Sequence, residues 1–504
     1  MSDIKKLAGQ TFWYGVPTIA SRFLAYATNI LLFWLYKPAS TSFITQVYAI
    51  IPFLNILFTY GLETSYFRFL QTEDKKKLYN SLTVCLLFTT ILFTGILFWQ
   101  ASAIANLVEM HEHPEYIQWV GWIMLFDTLA VLPFAKLRQE NRPKYFALIK
   151  TINILINVLL TVFFLGICPK IIQHSQQVPA WLSWYNIDIG IGYYIIANIV
   201  ASFVTLLLLL PQFKGFSFQL DKQLIKKVMN YSYPLIIVGL GGMINEMMSR
   251  VIYTKVVPLP REEALTQLGI FGANYKLAVL ITIFIQVFKL GAEPFFFNQS
   301  KQANAAVTYA RVMKFFVIAC ALMWLLIVVN LPLIKYLAYG KNANLYGQGL
   351  HIIPVLAMGS VFLGMYYNLT VWYKLTNQTL IGAYITLAGA AITIALNIWW
   401  IPIFGYTGSA WATFICYAFM MVVSYLLGQK YYPIPYDIVT IFEYLAVAYC
   451  LFFSHGLIVN LLLQANLLVS SIIGAFISIL FLIFIFFKEK KELQQVPFFS
   501  KWLK

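Results

Sequence analysis

The sequence predicts an all-α polytopic membrane protein of about 14 transmembrane helices, on three observations. Hydrophobic residues make up 61% of the 504 and charged residues 11%, which excludes a soluble globular chain of this length. Apolar stretches of roughly 20 residues, each long enough to cross a bilayer as a helix, recur from Phe12 to Phe487. Lys and Arg fall almost entirely into every second connection. About 25 of the 35 basic residues lie on one side, and about six (Lys37, Lys170, Lys255, Arg261, Lys335, Lys341) on the other. That positive-inside bias assigns both termini to the cytoplasm and requires an even number of spans.

In order, the spans are expected near 12–36, 42–67, 80–104, 117–136, 144–167, 187–210, 232–256, 268–292, 308–334, 349–373, 380–402, 409–428, 437–460 and 466–487. The first is too long for a signal-peptide core and no small-residue cleavage site follows, so it is expected to remain a span. Cytoplasmic connections carry Lys75, Lys76 and Lys77, then Lys136, Arg138, Arg142 and Lys144, then Lys214, Lys222, Lys226 and Lys227. Lys289, Lys301, Arg311, Lys314, Lys374, Lys430 and the tail Lys488, Lys490, Lys491, Lys501 and Lys504 complete that side. Connections of at most about 20 residues, near 169–186 and 211–231, leave no room for a soluble domain. The net charge of +16 therefore reads as topology, with cations held beside anionic inner-leaflet headgroups, and not as nucleic-acid binding. The five cysteines are scattered through apolar helices without paired spacing, so neither disulfide, metal nor cofactor is expected.

Self-comparison divides the chain. Leu62-Glu63-Thr-Ser-Tyr-Phe-Arg-Phe69 at the end of the second span corresponds to Ala292-Glu293-Pro-Phe-Phe-Phe-Asn298 at the end of the eighth. Lys136-Leu-Arg-Gln and Asn157 correspond to Lys374-Leu-Thr-Asn and Asn397. The offsets are about 230, 238 and 240 residues; six spans separate the copies, so both halves share one orientation. Chance similarity of apolar sequence is the competing explanation. The expected organisation is a first half over 1–212, a linker over 213–231, a second half over 232–432, and two further helices with a basic tail over 433–504. Parallel repeats of this kind occur in alternating-access transporters.

Several segments also resemble the oligosaccharide flippase (polysaccharide transport) family. They are Leu7-Ala-Gly-Gln-Thr11, Leu268-Gly-Ile-Phe-Gly-Ala-Asn-Tyr-Lys276, the Ala292 segment, Tyr367-Asn-Leu-Thr-Val-Trp-Tyr-Lys374, Leu396-Asn-Ile with Ile401-Pro402, and Gly405-Tyr-Thr-Gly-Ser-Ala-Trp-Ala-Thr413. The likeness spans residues 1 to about 435 and belongs to the multidrug/oligosaccharidyl-lipid/polysaccharide exporter superfamily. It implies two six-helix lobes around a central cavity plus two C-terminal helices. It also implies flipping of undecaprenyl-pyrophosphate-linked oligosaccharide across the inner membrane for O-antigen, capsule or exopolysaccharide assembly. Polysaccharide assembly proteins and membrane lipids are the implied partners. Relatives often carry Asp-Arg late in the first helix of the second lobe; here the pair is Ser249-Arg250, and Glu246 is the acid able to replace the missing one.

Ionisable residues at membrane depth are costly and normally face protein or a water-filled cavity. Arg22, Lys150, Arg250 and Lys276 are the four such cations, and they suit an anionic passenger such as a lipid pyrophosphate. Each has a plainer reading. Arg250 and Glu246 sit four apart and can pair, and Lys150 can snorkel to the surface. Among the acids, Asp127 and Glu246 are the candidates for binding a coupling H⁺ or Na⁺. Glu63 and Glu293 are expected to bond to Arg or backbone groups at helix ends, and Glu443 is a further half-buried acid. His111 and His113 lie in an acidic outer loop, which reads as solvated surface before it reads as a metal site. The expected function is a non-enzymatic flippase. The alternatives are a cation-coupled multidrug antiporter, whose cavity should be richer in acids, and a membrane glycosyltransferase or polymerase, which needs acids near an outward loop and usually a large external domain, whereas these outer connections are short and hold no Asp-x-Asp pair.

Overall fold

A computed structural model describes residues 24, 26–174, 179–300, 302, 304–376, 378–461 and 467–493. Among these residues the regular structure is entirely helical. Twelve helices are long and apolar enough to cross a membrane, or 13 when Arg261–Ala278 and Leu280–Lys289, bent by 43°, count as one span. Of the expected first span, only the apolar helix Tyr26–Leu35 lies wholly within the described residues, and Arg22 lies outside them.

The main helices are α1 Pro38–Thr59, α2 Leu62–Phe69, α3 Lys75–Trp99, α4 Pro114–Gln139, α5 Pro143–Thr161, α6 Tyr193–Leu209, α7 Lys222–Val256 and α8 Arg261–Ala278. Then follow α9 Leu280–Gln299, α10 Ala305–Val329, α11 Ile353–Leu369, α12 Thr379–Phe404, α13 Tyr406–Tyr431, α14 Ile438–Leu461 and α15 Leu467–Leu493. Local chemistry sets several starts. Pro38, Pro114 and Pro143 occupy first-turn positions, where a missing N–H costs nothing. Asp74 caps α3 by accepting from the Lys77 N–H at 2.8 Å, and Asp221 caps α7 by accepting from Gln223 and Leu224. The second expected span is two helices, α1 and α2, broken where Tyr60 and Gly61 adopt left-handed backbone.

Packing divides the chain into two units, Met1–Gly272 with Ala390–Ser409, and Ala273–Gly389 with Ala410–Lys504. In the first, α4 lies against α1, α3 and α6, α5 packs on α6, and α7 on α1. Lipid is as apolar as leucine, so close contact and interhelical hydrogen bonds must hold such helices together. Ser65 and Ser232 share a buried 2.7 Å hydrogen bond between α2 and α7. A Cβ on Gly269 would fall 1.9 Å from the Pro38 carbonyl oxygen, and one on Gly272 would fall 2.4 Å from Thr45 Oγ1. Two glycines of the Leu268–Lys276 segment are therefore there to let α8 abut α1.

In the second unit α10 is central, packing on α11, α14 and α15. The end of α15 is pinned by charge. Lys314 donates to Glu489 at 2.8 Å and to Glu492 at 2.6 Å, and the Tyr444 hydroxyl donates to buried Glu489 at 2.7 Å. Glu443 pairs with Lys488 beside them.

Candidate functional site

Within the first unit, α1, α4, α5 and α6 bring polar groups together at the middle of their spans. Asp127 of α4 hydrogen-bonds to Ser202 of α6 and lies close enough to Lys150 of α5 for a charge interaction. The Lys150 ammonium also sits 4.3 Å from the centroid of the Phe134 ring, an attractive cation–π distance. Asn198 donates to the Tyr48 hydroxyl at 2.8 Å, Tyr48 stacks toward Tyr194, and Asn153 donates to Thr205 at 2.8 Å. Asp127 is exposed by surface area. A carboxylate and an ammonium so placed can trade stabilisation: protonation of the acid removes the counter-charge of the base.

Arg250 is buried on α7. Its guanidinium donates to the Glu246 backbone carbonyl at 2.6 Å and approaches Met247 Sδ at 2.9 Å, so its recorded bonds follow its own helix. Lys276, in the second unit, is half-buried. Its neighbour Asn274 is fully buried, donating to the Tyr346 carbonyl at 2.8 Å and accepting from the Tyr339 hydroxyl at 3.0 Å. Glu63 pairs with Arg138 across α2 and α4, and Arg138 in turn covers the Phe67 ring at 4.9 Å. Arg22 and the side chain of Glu293 lie outside the described residues. His113 bonds to Glu115 at 2.7 Å and stacks on Tyr116; among the described residues no group of His, Cys, Asp and Glu is arranged to hold a metal ion.

A further constellation lies in the second unit. An open cleft lies between α9, α11 and the short helix Val371–Leu375, lined by Phe288, Lys289, Phe296, Tyr367, Asn368 and Lys374 among others. Lys289 Nζ stands 4.5 Å from the Tyr367 ring centroid. Asn368 is buried and donates to the Gly364 carbonyl at 3.1 Å, while its Oδ1 has no hydrogen-bond partner among the described residues. No carboxylate is among the described lining residues. Two ammonium groups over an aromatic floor can hold a phosphate and offer a stacking face to a sugar.

The family model for "Polysaccharide biosynthesis protein" matches residues 7–298. The chain belongs to that family. No curated protein matches the sequence significantly. Among solved structures, this polysaccharide biosynthesis protein is similar to the lipid II flippase MurJ in an inward closed conformation, with a TM-score of 0.68, 14% identity, and coverage of 94% of this chain and 99% of MurJ. It is also similar to an inward-facing multidrug resistance MATE transporter of the MOP superfamily, with a TM-score of 0.60, 14% identity, and coverage of 81% and 94%. The Vibrio cholerae MATE transporter VcmN matches with a TM-score of 0.58, 13% identity, and coverage of 85% and 98%. At these identities the likeness is one of fold: the multi-span helical architecture is that of the MurJ and MATE transporters.

Sequence reasoning placed Lys289 and Lys374 with the loop cations, because each falls near the end of an apolar run. One signal was available. Lys374 closes the Tyr367 segment singled out by the family resemblance, and Lys289 lies just before the Ala292 segment.

Proposed function

We propose that this polysaccharide biosynthesis protein is a flippase that carries an undecaprenyl-pyrophosphate-linked oligosaccharide across the inner membrane by alternating access. The observation that carries the reading is the Lys289–Lys374 cavity. A pyrophosphate bears charge that must be paired once it leaves water, and ammonium groups in a low-dielectric wall pair with it strongly. Tyr367 and the neighbouring phenylalanines suit the apolar face of a sugar or the first prenyl units. Lys150, Arg250 and Lys276 are further contacts for the head as it moves, with Arg22 assigned the same role from sequence. Asp127 is the coupling acid: in its charged form it holds Lys150, and uptake of H⁺ frees that ammonium for the passenger. Glu246 is the second coupling candidate. In this reading both termini are cytoplasmic, the product serves O-antigen, capsule or exopolysaccharide assembly, and assembly proteins take it up outside.

The test is deletion in the native host followed by analysis of surface polysaccharide and lipid-linked intermediates. Loss of polymer with inward-facing lipid-linked oligosaccharide accumulating is the expected result, and it names the glycan. Intact polymer with altered sensitivity to cationic drugs would reassign the protein to multidrug antiport.

A further inference from the structure

At the basic end of the first unit a second cavity opens, distinct from the Lys289–Lys374 cavity. It holds about 290 Å³ between the start of α3, the end of α4 and the connection 213–221 that leads into α7. Lys75, Lys76, Lys136 and Lys214 line it, against the single acid Glu140, which also pairs with Arg142 at 3.5 Å. The site is built and not merely a patch of loose lysines. Lys136 Nζ donates to the Gln212 carbonyl at 2.6 Å and lies 4.7 Å from the Tyr79 ring centroid. Asn80, only 1% exposed, lines the wall; its amide donates to Ser217 at 2.7 Å, and its Oδ1 has no hydrogen-bond partner among the described residues.

The connection forms a strap over this cavity. Gly215 turns it with φ +81°, and its far end is tied down by Lys77 to Asp221 at 2.5 Å. Phe216 lines the cavity, while Phe218, packed 5.1 Å from it, is 71% exposed, and Leu220 is 49% exposed. A surplus of cations beside protruding aromatic and aliphatic side chains is the pattern of a site at the headgroup level of a membrane.

We propose that this cavity binds the glycerophosphate head of an anionic phospholipid. The phosphate takes the place between Lys75, Lys76 and Lys214, and Phe218 and Leu220 lie among the acyl chains. A bare phosphate would satisfy the lysines and leave the exposed strap unexplained. The site stands independently of the flippase reading.

Native mass spectrometry of the full chain in neutral detergent tests it, with phosphatidylglycerol, phosphatidylcholine and free glycerol phosphate as probes. Phosphatidylglycerol should be retained at least about tenfold over phosphatidylcholine, in line with about 1 kcal/mol per basic residue near a charged surface. Lys76→Gln with Lys214→Gln should bring the two lipids level. Phe218→Ser, on the exposed strap, should weaken retention about threefold while leaving thermal unfolding unchanged, which separates lipid binding from folding. Equal retention of the two lipids by the unaltered protein would overturn the site. Displacement of phosphatidylglycerol by equimolar glycerol phosphate, or by a polyprenyl phosphate, would overturn the phospholipid as its occupant.

Discussion

Lys150 and Lys314 are lysines with acids to hand, whereas Lys289 and Lys374 line one cleft beside the Tyr367 ring. Three uses of one residue type are thereby separated. Lys314, held by two glutamates and backed by Tyr444, is saturated and serves to fix α15. Lys150 has one acid, and that acid also accepts from Ser202, so its hold depends on a single protonation event. The cavity lysines present charge to a space, and a space lined by cations selects an anion. Depth in the membrane does not distinguish these cases. The groups packed around each ammonium do.

The largest effect is expected where charge faces the cavity. Lys289→Gln with Lys374→Gln should lower transport by about a hundredfold, and each single change by about tenfold, since a charge-assisted hydrogen bond contributes about 1.5–3 kcal/mol. Transport of lipid-linked oligosaccharide by proteoliposomes reads this directly. Near-normal rates in the double variant would remove the cavity from the pathway and erase the contrast with Lys314.

Asp127→Asn comes next. Transport driven by a proton gradient should fall by about tenfold, the cost of losing a positioned proton carrier, while gradient-independent exchange persists. Combining it with Lys150→Gln should cost less than the two single losses together, because both changes break one interacting pair. A strictly additive double variant would break the distinction between Lys150 and the cavity lysines.

Glu489→Ala should leave transport per folded molecule intact and destabilise the protein by about 2 kcal/mol, by leaving Lys314 and the Tyr444 hydroxyl without their buried partner. Thermal unfolding in detergent measures it. A transport defect without destabilisation would place Lys314 with the functional lysines.

The smallest effect belongs to the outer loop. Arg261 donates to Glu112 at 2.7 Å, and that hydrogen bond holds the Glu112 carboxyl below its ordinary range. A depressed carboxyl stabilises the fold above its unfolded pKa and loses that contribution as pH falls through the lowered value. Hydrogen-exchange protection in residues 107–113, taken relative to the intrinsic exchange rate at each pH, should therefore be flat from about pH 8 to pH 5 and fall below about pH 4, and Arg261→Gln should flatten the fall.

Much of the architecture was legible because membranes impose a length and a charge rule on every span. The apolar runs around 80–104, 308–334 and 466–487 fall on α3, α10 and α15 with little shift. Breaks were less legible. The Tyr60–Gly61 kink and the bend at Val279 interrupt continuous apolar sequence, and composition alone carries no record of backbone direction. Single-helix spacing brings Arg250 beside Glu246, and the Arg250 guanidinium donates to the Glu246 main-chain oxygen. Asp127 and Lys150 were both noticed, but their proximity depends on how α4 and α5 face each other, which no spacing along one helix reveals.

The sequence by itself determined that the chain is a many-span membrane protein, which side of each span is basic, and which segments carry a flippase-like pattern. Hydrophobic length and positive-inside bias act on each span separately, so they can be read one segment at a time. Only the tertiary structure decided that Lys289 and Lys374 share a cavity, that Lys314 is neutralised by α15, and that Gly269 and Gly272 exist for helix contact. An ammonium group acquires its role from the charges within a few ångströms of it, and packing, not chain order, brings those charges there.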